Sequence, residues 1–215
     1  MKSFTNLEKI VIIGDSFAGH SDKSTDWVRT FTDRFKNATL DCKGFPGRSW
    51  WPLRLYLKDI LNTYTPDILI LCHTEPNRVV TRDNQKGNKS NTDPIFTKFF
   101  NKYYNLDFGL WSTQRWYDEL DDLLLSYNIP YVVHFLSFPY YKYEFKQGIT
   151  SSEDLWSIQC TQESPLDPNK RNHFTDENNK LLGNLIFDEL KLLAEQEKYN
   201  SGYYNFNLMR HFSKQ

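Results

Sequence analysis

A serine lies in a short turn directly after the first apolar run of the chain. The apolar run covers residues 10–13, and the turn that follows reads Gly14-Asp15-Ser16-Phe17-Ala18-Gly19. In an open parallel sheet the carboxyl ends of the strands face the ligand crevice. The turn therefore predicts that the Ser16 hydroxyl points into a site, with Gly14 permitting the sharp change of direction. The alternative is an ordinary strand-to-helix turn in which Ser16 caps a helix.

A histidine near the far end of the chain is the candidate base for this serine. It lies in the run Asn172-His173-Phe174-Thr175, just before the last predicted helix. A serine hydroxyl is a poor nucleophile without an adjacent base, and a loop entering the last helix can bring His173 to the first strand. The remaining histidines are expected to be surface residues without a catalytic part, although one of them, His73, follows a strand near the predicted site: His20, His73, His134 and His211.

Two further loops could stabilise an oxyanion. Gly47 lies in the run Gly44-Phe45-Pro46-Gly47-Arg48-Ser49, and Asn77 lies in the run His73-Thr74-Glu75-Pro76-Asn77-Arg78. A backbone N–H at Gly47 and the amide of Asn77 are suitable donors to a developing negative charge. Glycine and asparagine in loops also serve ordinary turns, so each run alone is a weak signal. Their common position, after consecutive predicted strands, strengthens both.

The elements that must position these residues alternate between strands and helices. Strands are predicted at residues 10–13, 38–42, 68–71 and 131–136. Four helices are predicted from their apolar stripes: Trp27, Phe31 and Phe35; Leu53 to Tyr64; Trp116 to Tyr127; and Thr175 to Leu193. A Ser-Thr-Asp run caps the first of these helices, and acidic residues in the first turn favour the last. The alternation predicts an α/β fold in which both faces of a parallel sheet are covered by helices.

The four runs, in this order, resemble the blocks of the SGNH (GDSL-like) hydrolase family, which supply Ser, Gly, Asn and His. The resemblance covers residues 9–193, and only its first and last blocks are specific. It implies a three-layer α/β/α sandwich of the flavodoxin-like SGNH hydrolase fold. The Asn-His-Phe-Thr run and the Asn-rich helix start after it are similar to a subgroup often encoded by bacteriophages.

Two departures from the family pattern concern the third and fourth blocks. The third block is usually Gly-x-Asn-Asp, whereas residues 74–77 read Thr-Glu-Pro-Asn, so the resemblance assigns the oxyanion role to Asn77. The family also usually has an aspartate three residues before the histidine, where this chain has Lys170. Asp167 is the nearest upstream acid and is the predicted partner of His173. Otherwise the acid is missing, or a backbone carbonyl takes its place.

The activity implied by the resemblance is hydrolysis of a carboxylic ester through an acyl-enzyme, without a metal or cofactor. Ser16, His173 and Asp167 would be catalytic, and Ser16, Gly47 and Asn77 would form the oxyanion hole. The substrate class is a small-molecule or carbohydrate ester, for example an O-acetyl ester on a carbohydrate. An acyltransferase that uses the same serine is a further alternative.

The competing class is a catalytically degenerate protein that binds a glycan or a protein partner. It would use aromatic residues outside the four runs: Trp50, Trp51, Tyr140 and Tyr141. Most such residues in any chain are ordinary core. A dinucleotide-binding protein is disfavoured because no G-x-G-x-x-G motif follows the first strand.

Length and composition favour one domain over residues 1–198, with a tail over residues 199–215. The chain has 215 residues and a formal net charge of -1, which argues against nucleic acid or an anionic membrane as partner. The cysteines, Cys42, Cys72 and Cys160, have no metal or disulfide spacing. With no signal peptide or membrane-spanning run, a cytoplasmic location is expected. Later delivery as part of a virion would leave no such mark, and the oligomeric state stays open.

Overall fold

A computed structural model describes most of the chain. The described residues are 4–18, 26–76, 78, 94–137, 143–151, 154–155, 174–195 and 204–206. No helix within these ranges is long and apolar enough to cross a membrane.

A six-stranded sheet forms the centre of the molecule, and every neighbouring pair of its strands is parallel. The strands are β1 (Lys9–Gly14), β2 (Thr39–Gly44), β3 (Ile68–His73), β4 (Tyr131–Leu136), β5 (Ile149–Ser151) and β6 (Tyr204–Phe206). Their order across the sheet is β2-β1-β3-β4-β5-β6. The first five follow the flavodoxin-like order, in which the chain leaves β1 towards one edge and returns to its other side at β3.

Helices lie against both faces of the sheet, and five α-helices have their bounds within the described residues. They are α1 (Trp27–Thr32), α2 (Trp50–Thr63), α3 (Pro94–Tyr103), α4 (Leu106–Tyr127) and α5 (Asp176–Glu195). Residues of α1 and α5 share one apolar core with one face of β1, β3 and β4. Residues of α2 and α4 share a second core with the opposite face. The predicted α/β fold with a three-layer sandwich and a parallel sheet is therefore confirmed.

Local sequence signals explain where the helices begin. The Asp26 side chain accepts a hydrogen bond from the Val28 N–H and caps α1, as the Ser-Thr-Asp run predicts. The Asn105 side chain caps α4 in the same way. Where α5 crosses α1, a Cβ at Gly183 would lie 2.6 Å from the Trp27 carbonyl oxygen. Glycine at this position therefore lets the two helices approach closely.

Several element bounds differ from the sequence expectation, and three elements are additional to it. Helix α1 ends at Thr32, so Phe35 reaches the core from the turn after it rather than from the helix. The elements α3, β5 and β6 were not expected. The strands β5 and β6 have three residues each, too few to show a period in the sequence. Strand β6 lies within residues 199–215, the segment predicted as a tail, and it pairs with β5.

Candidate active site

The strand order reverses between β1 and β3, and α/β proteins commonly bind ligands at the carboxyl ends of the strands beside such a reversal. Ser16 lies here, at the start of a 3-10 turn that runs from Ser16 to Ala18. It is partly exposed, while Asp15 and Phe17 on either side are buried. A Cβ at Gly14 would overlap Cys72 of β3. Glycine therefore allows β1 to end directly against its neighbour.

The Asp15 carboxyl group shapes the turn that carries Ser16. Its Oδ1 accepts a hydrogen bond from the Phe17 N–H at 3.0 Å, and its backbone N–H donates to the Cys72 carbonyl at 3.2 Å. Within the described residues its Oδ2 has no hydrogen-bond partner, and Nη1 of Arg78 lies 3.7 Å from it. Asp15 is fully buried, and this position gives it a scaffold role in the turn.

Burial also changes the acidity of Asp15. Loss of solvation raises the pKa of this carboxyl group from 3.8 to about 6. The Arg78 guanidinium and the Phe17 N–H oppose the rise because they favour the carboxylate. The group is therefore ionised at neutral pH and takes up a proton in mildly acidic solution.

Gly47 occupies a tight turn between β2 and α2. Its φ of 69° lies in the left-handed region that favours glycine. The Arg48 N–H donates to the Phe45 carbonyl at 3.1 Å, and the Phe45 N–H donates to the Gly14 carbonyl at 2.8 Å. The Gly47 turn is thus anchored to the end of β1, one residue before Asp15. Within the part of the chain that is described, the backbone N–H of Ser16 and that of Gly47 have no hydrogen-bond acceptor.

The loop after β3 connects these two turns through Arg78, a residue outside the predicted site. The side chain of Arg78 is buried and contacts Asp15, Glu75 and the carbonyl of Arg48. Thr74 donates a second hydrogen bond to the same carbonyl, at 3.0 Å. The only signal in the sequence was an acid, Glu75, three residues before an arginine in a loop that follows a buried strand.

The predicted residues His173, Asp167 and Asn77 lie outside the described residues. Phe174, the residue after His173, is among the described residues. The ring of Phe174 contacts the ring of Phe17 with 5.7 Å between centroids, and Phe17 directly follows Ser16. The structure therefore brings together the neighbours of the predicted nucleophile and base.

A hydrogen-bonded chain holds these two neighbours in place. The Trp27 indole N–H donates to the Phe17 carbonyl at 2.8 Å. The Trp27 backbone N–H donates to the Asn179 side-chain oxygen at 3.3 Å, and the Asn179 amide donates to the Phe174 carbonyl at 3.0 Å. Trp27 and Asn179 thus tie the start of α5 to the Ser16 turn.

Two histidines expected at the surface are in fact buried. His73 Nε2 lies 3.0 Å from His134 Nδ1, and His134 Nε2 lies 3.0 Å from the Gln147 carbonyl oxygen. Because a carbonyl can only accept, His134 carries its proton on Nε2, and His73 donates from Nε2 to the free nitrogen of its partner. Burial lowers the pKa of His134 to about 3 and that of His73 well below its usual range. The pair is neutral at physiological pH and joins β3 to β4.

Neither described cysteine has the lowered pKa of an activated thiol. Cys42 and Cys72 are free, and burial raises the pKa of both, that of Cys42 to about 12. No group of three or more His, Cys, Asp or Glu residues within the described ranges is arranged to hold a metal ion.

The aromatic residues of the alternative hypothesis are only partly available. Trp50 is half-buried and stacks on Trp116 with 6.0 Å between ring centroids, and Trp51 lies under the Arg54 guanidinium. Tyr140 and Tyr141 lie outside the described residues.

Comparison with known proteins yields no relative. No protein-family model matches the chain, and no curated protein or solved structure matches it either. The family resemblance therefore remains a prediction based on the residues themselves.

Proposed function

We propose that the protein is a serine-dependent hydrolase of the SGNH kind, which cleaves a carboxylic ester through an acyl-enzyme. The observation that carries the proposal is the contact between Phe17 and Phe174. In the sequence, Ser16 directly precedes Phe17 and His173 directly precedes Phe174, and the two pairs are far apart along the chain. An ordinary capping serine would need no contact between its neighbour and Phe174.

The proposed reaction has two steps. His173 takes the proton of Ser16 as the serine oxygen attacks the ester carbonyl, and then gives this proton to the departing alcohol. In the second step His173 takes a proton from a water molecule as the water oxygen attacks the acyl-enzyme. His173 then gives this proton to the Ser16 oxygen as the carboxylic acid leaves. The backbone N–H groups of Ser16 and Gly47, with the Asn77 amide, would bind the oxyanion. One such donor typically contributes about 3 kcal/mol to lowering the barrier.

The unpaired state of two of these donors supports the assignment. A buried or half-buried backbone N–H is normally satisfied within the protein or by water. The N–H groups of Ser16 and Gly47 have no acceptor in the described part of the chain. They lie on turns that the Phe45–Gly14 hydrogen bond holds together. Both are therefore available to a ligand oxygen.

The acid partner of the histidine is proposed to be Asp167 rather than Asp15. The Asp15 carboxyl group is buried, accepts the Phe17 N–H and faces Arg78, so its interactions already serve the turn. Loss of the acid in a triad reduces activity without abolishing it, because the base and the oxyanion donors still act.

The proposed substrate is an O-acetyl ester on a carbohydrate or a small-molecule ester. Transfer of the acyl group to a second alcohol instead of water would use the same residues, and only acceptor tests separate the two activities. The proposal includes a cytoplasmic location, or a place in the virion if the chain is encoded by a phage.

The decisive experiment combines turnover with covalent labelling. A short-chain chromogenic ester and a fluorophosphonate probe are offered to the wild type, to Ser16→Ala and to Ser126→Ala. Ser126 is an exposed helix serine whose hydroxyl donates to the Leu123 carbonyl, and it serves as the matched control. We expect the wild type and Ser126→Ala to hydrolyse the ester and to be labelled on the peptide that contains Ser16. Ser16→Ala should lose at least about a thousandfold in kcat and all labelling.

A second pair of variants tests the base. His173→Gln should reduce kcat by about a thousandfold or more, since the serine then has no proton acceptor, whereas His211→Gln should retain the wild-type rate. Equal rates in the wild type and Ser16→Ala, or no hydrolysis and no labelling in either, would contradict the proposal. The binding alternative would then be examined with a glycan array.

A further inference from the structure

Arg78 is a buried cation that the proposed reaction does not use directly. Only 5% of its surface is exposed, and burial of a guanidinium is costly unless its charge and donors are matched. Its Nη2 lies 3.3 Å from the Glu75 carboxylate, and its Nη1 lies 3.7 Å from the Asp15 carboxylate. Two acidic groups therefore compensate its charge.

The contacts of Arg78 reach the loops after three different strands. Asp15 follows β1, Arg48 follows β2 and Glu75 follows β3. The same nitrogen that faces Asp15 also donates to the Arg48 carbonyl, at 3.4 Å. Arg78 thus touches the residue immediately before Ser16 and the residue immediately after Gly47. Ser16 and Gly47 themselves carry the N–H groups that the proposed function assigns to the oxyanion.

A purely structural role does not require a charge at this place. An apolar residue packed between the loops would hold them together without the cost of desolvation, and replacement of buried ion pairs by apolar residues is often neutral or stabilising. A planar guanidinium has a property that an apolar residue lacks. Its nitrogens are fixed relative to each other, so it can set the distance between two groups that it binds.

We propose that Arg78 is a positioning residue for the oxyanion hole. This inference rests on the proposed function. Through Asp15 and the Arg48 carbonyl, the guanidinium holds the Ser16 turn and the Gly47 turn at a fixed separation. Both N–H groups then meet one oxygen. Thr74 assists because its hydroxyl binds the same carbonyl of Arg48. A misplacement of about 1 Å in such an arrangement costs up to about a hundredfold in rate.

The test measures kcat and KM for the chromogenic ester in the full-length protein. The variants are Arg78→Lys, Arg78→Ala and Thr74→Val, with Arg54→Lys as the matched control. Arg54 forms a two-bond ion pair with Glu119 between α2 and α4, so it controls for loss of an arginine fork elsewhere. Thermal unfolding monitored by circular dichroism shows which variants fold.

We expect Arg78→Lys to lower kcat by about ten- to a hundredfold with KM changed by less than about threefold, because charge without the planar fork does not set the separation. Thr74→Val should lower kcat by less than about tenfold, and Arg54→Lys should leave it unchanged. Ethylguanidinium added to Arg78→Ala should restore part of kcat, whereas ethylammonium should not. A merely structural arginine would show no such selectivity.

Two kinds of failure are distinguishable. If the wild type is active and Ser16→Ala is not, but folded Arg78→Lys and Thr74→Val keep the wild-type kcat, the positioning role is wrong and the proposed function stands. If the wild type neither hydrolyses the ester nor reacts with the fluorophosphonate, the proposed function fails and this inference fails with it. Should Arg78→Ala not fold, the lysine and valine variants still decide the question.

Discussion

Two aspartates at opposite ends of the same sheet serve the fold in different ways. Asp67, at the amino end, accepts hydrogen bonds from the backbone N–H groups of Glu8 and Lys9 at 2.8 and 2.9 Å, in contact with solvent. Asp15, at the carboxyl end, accepts one backbone N–H and is buried beside the Arg78 guanidinium. The first satisfies donors at the entry to a strand at little desolvation cost. The second is a buried charge whose solvation is lost.

The comparison indicates where the molecule sacrifices stability. Natural proteins break local rules mainly at functional sites and compensate for them elsewhere. At the amino end of the sheet, the Asp67 carboxylate is hydrogen-bonded and stays in contact with solvent. At the carboxyl end, polar side chains after β1, β3 and β4 are buried: Asp15, Thr74, Arg78 and Ser137. An end of the sheet that had only a structural role would not need this collection.

Asp15→Asn should show the largest difference between the two ends, in the pH dependence of stability. The folded-state pKa of Asp15, about 6, lies above its ordinary 3.8, so the folded protein binds this proton more tightly than the unfolded chain does. The stability from Asp15 is therefore fully present below about pH 4 and is lost as the pH rises through about 6, by about 3 kcal/mol in total. Because asparagine does not titrate, the free energy of unfolding of the variant does not include this loss.

The measurement is urea unfolding of the wild type and of Asp15→Asn between pH 4 and 8. The free energy of unfolding of the variant should improve relative to the wild type as the pH rises from about 4 to about 6, and the difference should be nearly constant above about pH 7. Asp67→Asn, the same substitution at the other end of the sheet, is the control. A wild-type-to-variant difference that is flat across this range would mean that Asp15 is not a destabilised buried carboxylate.

Asn179→Ala should have an intermediate effect that separates activity from stability at the carboxyl end. The substitution removes the side chain that links the Trp27 N–H to the Phe174 carbonyl. Loss of these hydrogen bonds should cost about 1–2 kcal/mol of unfolding free energy. Because the link also holds the residue after His173, kcat for the ester should fall by about tenfold.

The matched control for this prediction is Asn184→Ala, which removes a hydrogen bond to Arg34 on the exposed side of the same helix. It should leave kcat at the wild-type value. An Asn179→Ala variant that unfolds more easily but turns over at the wild-type rate would show that the link stabilises the fold without positioning the site.

Asp67→Ala should have the smallest effect and should not alter turnover. Two backbone N–H groups lose their protein acceptor but can bind water instead, since the site is in contact with solvent. We expect a loss of about 1 kcal/mol in the free energy of unfolding and an unchanged kcat. A tenfold loss of activity would show that the two ends of the sheet are coupled, and it would break the comparison.

Much of the fold could be predicted because its signals are local. The apolar runs that form β1, β3 and β4 are continuous, as expected for parallel strands buried on both faces. The Asp26 cap and the Gly14 turn depend on neighbours within a few residues. The strands β5 and β6 could not be predicted, because a three-residue strand is stabilised mainly by what it pairs with rather than by its own pattern. Helix α3 does have a local signal, since Ile95, Phe99 and Tyr103 recur every fourth residue after Pro94.

The candidate site divides in the same way. Ser16 and Gly47 were predicted as site residues because each lies in a glycine-containing run directly after a predicted strand. The buried state of Arg78, and the pairing of His73 with His134, could not be predicted, because arginine and histidine in loops and strand ends are usually exposed. Their burial depends on partners far away in the chain, such as Asp15 for Arg78.

The amino-acid sequence alone thus determined the alternation of strands and helices, the turn that carries Ser16 and the turn that contains Gly47. Propensity, capping and glycine freedom act over a few residues and can be read without a fold. Only the tertiary structure decided that Phe174 meets Phe17 and that Arg78 lies between two turns. It also decided that Asp15 loses its solvent. Desolvation and charge compensation depend on which distant groups share a volume, and chain topology alone brings those groups together.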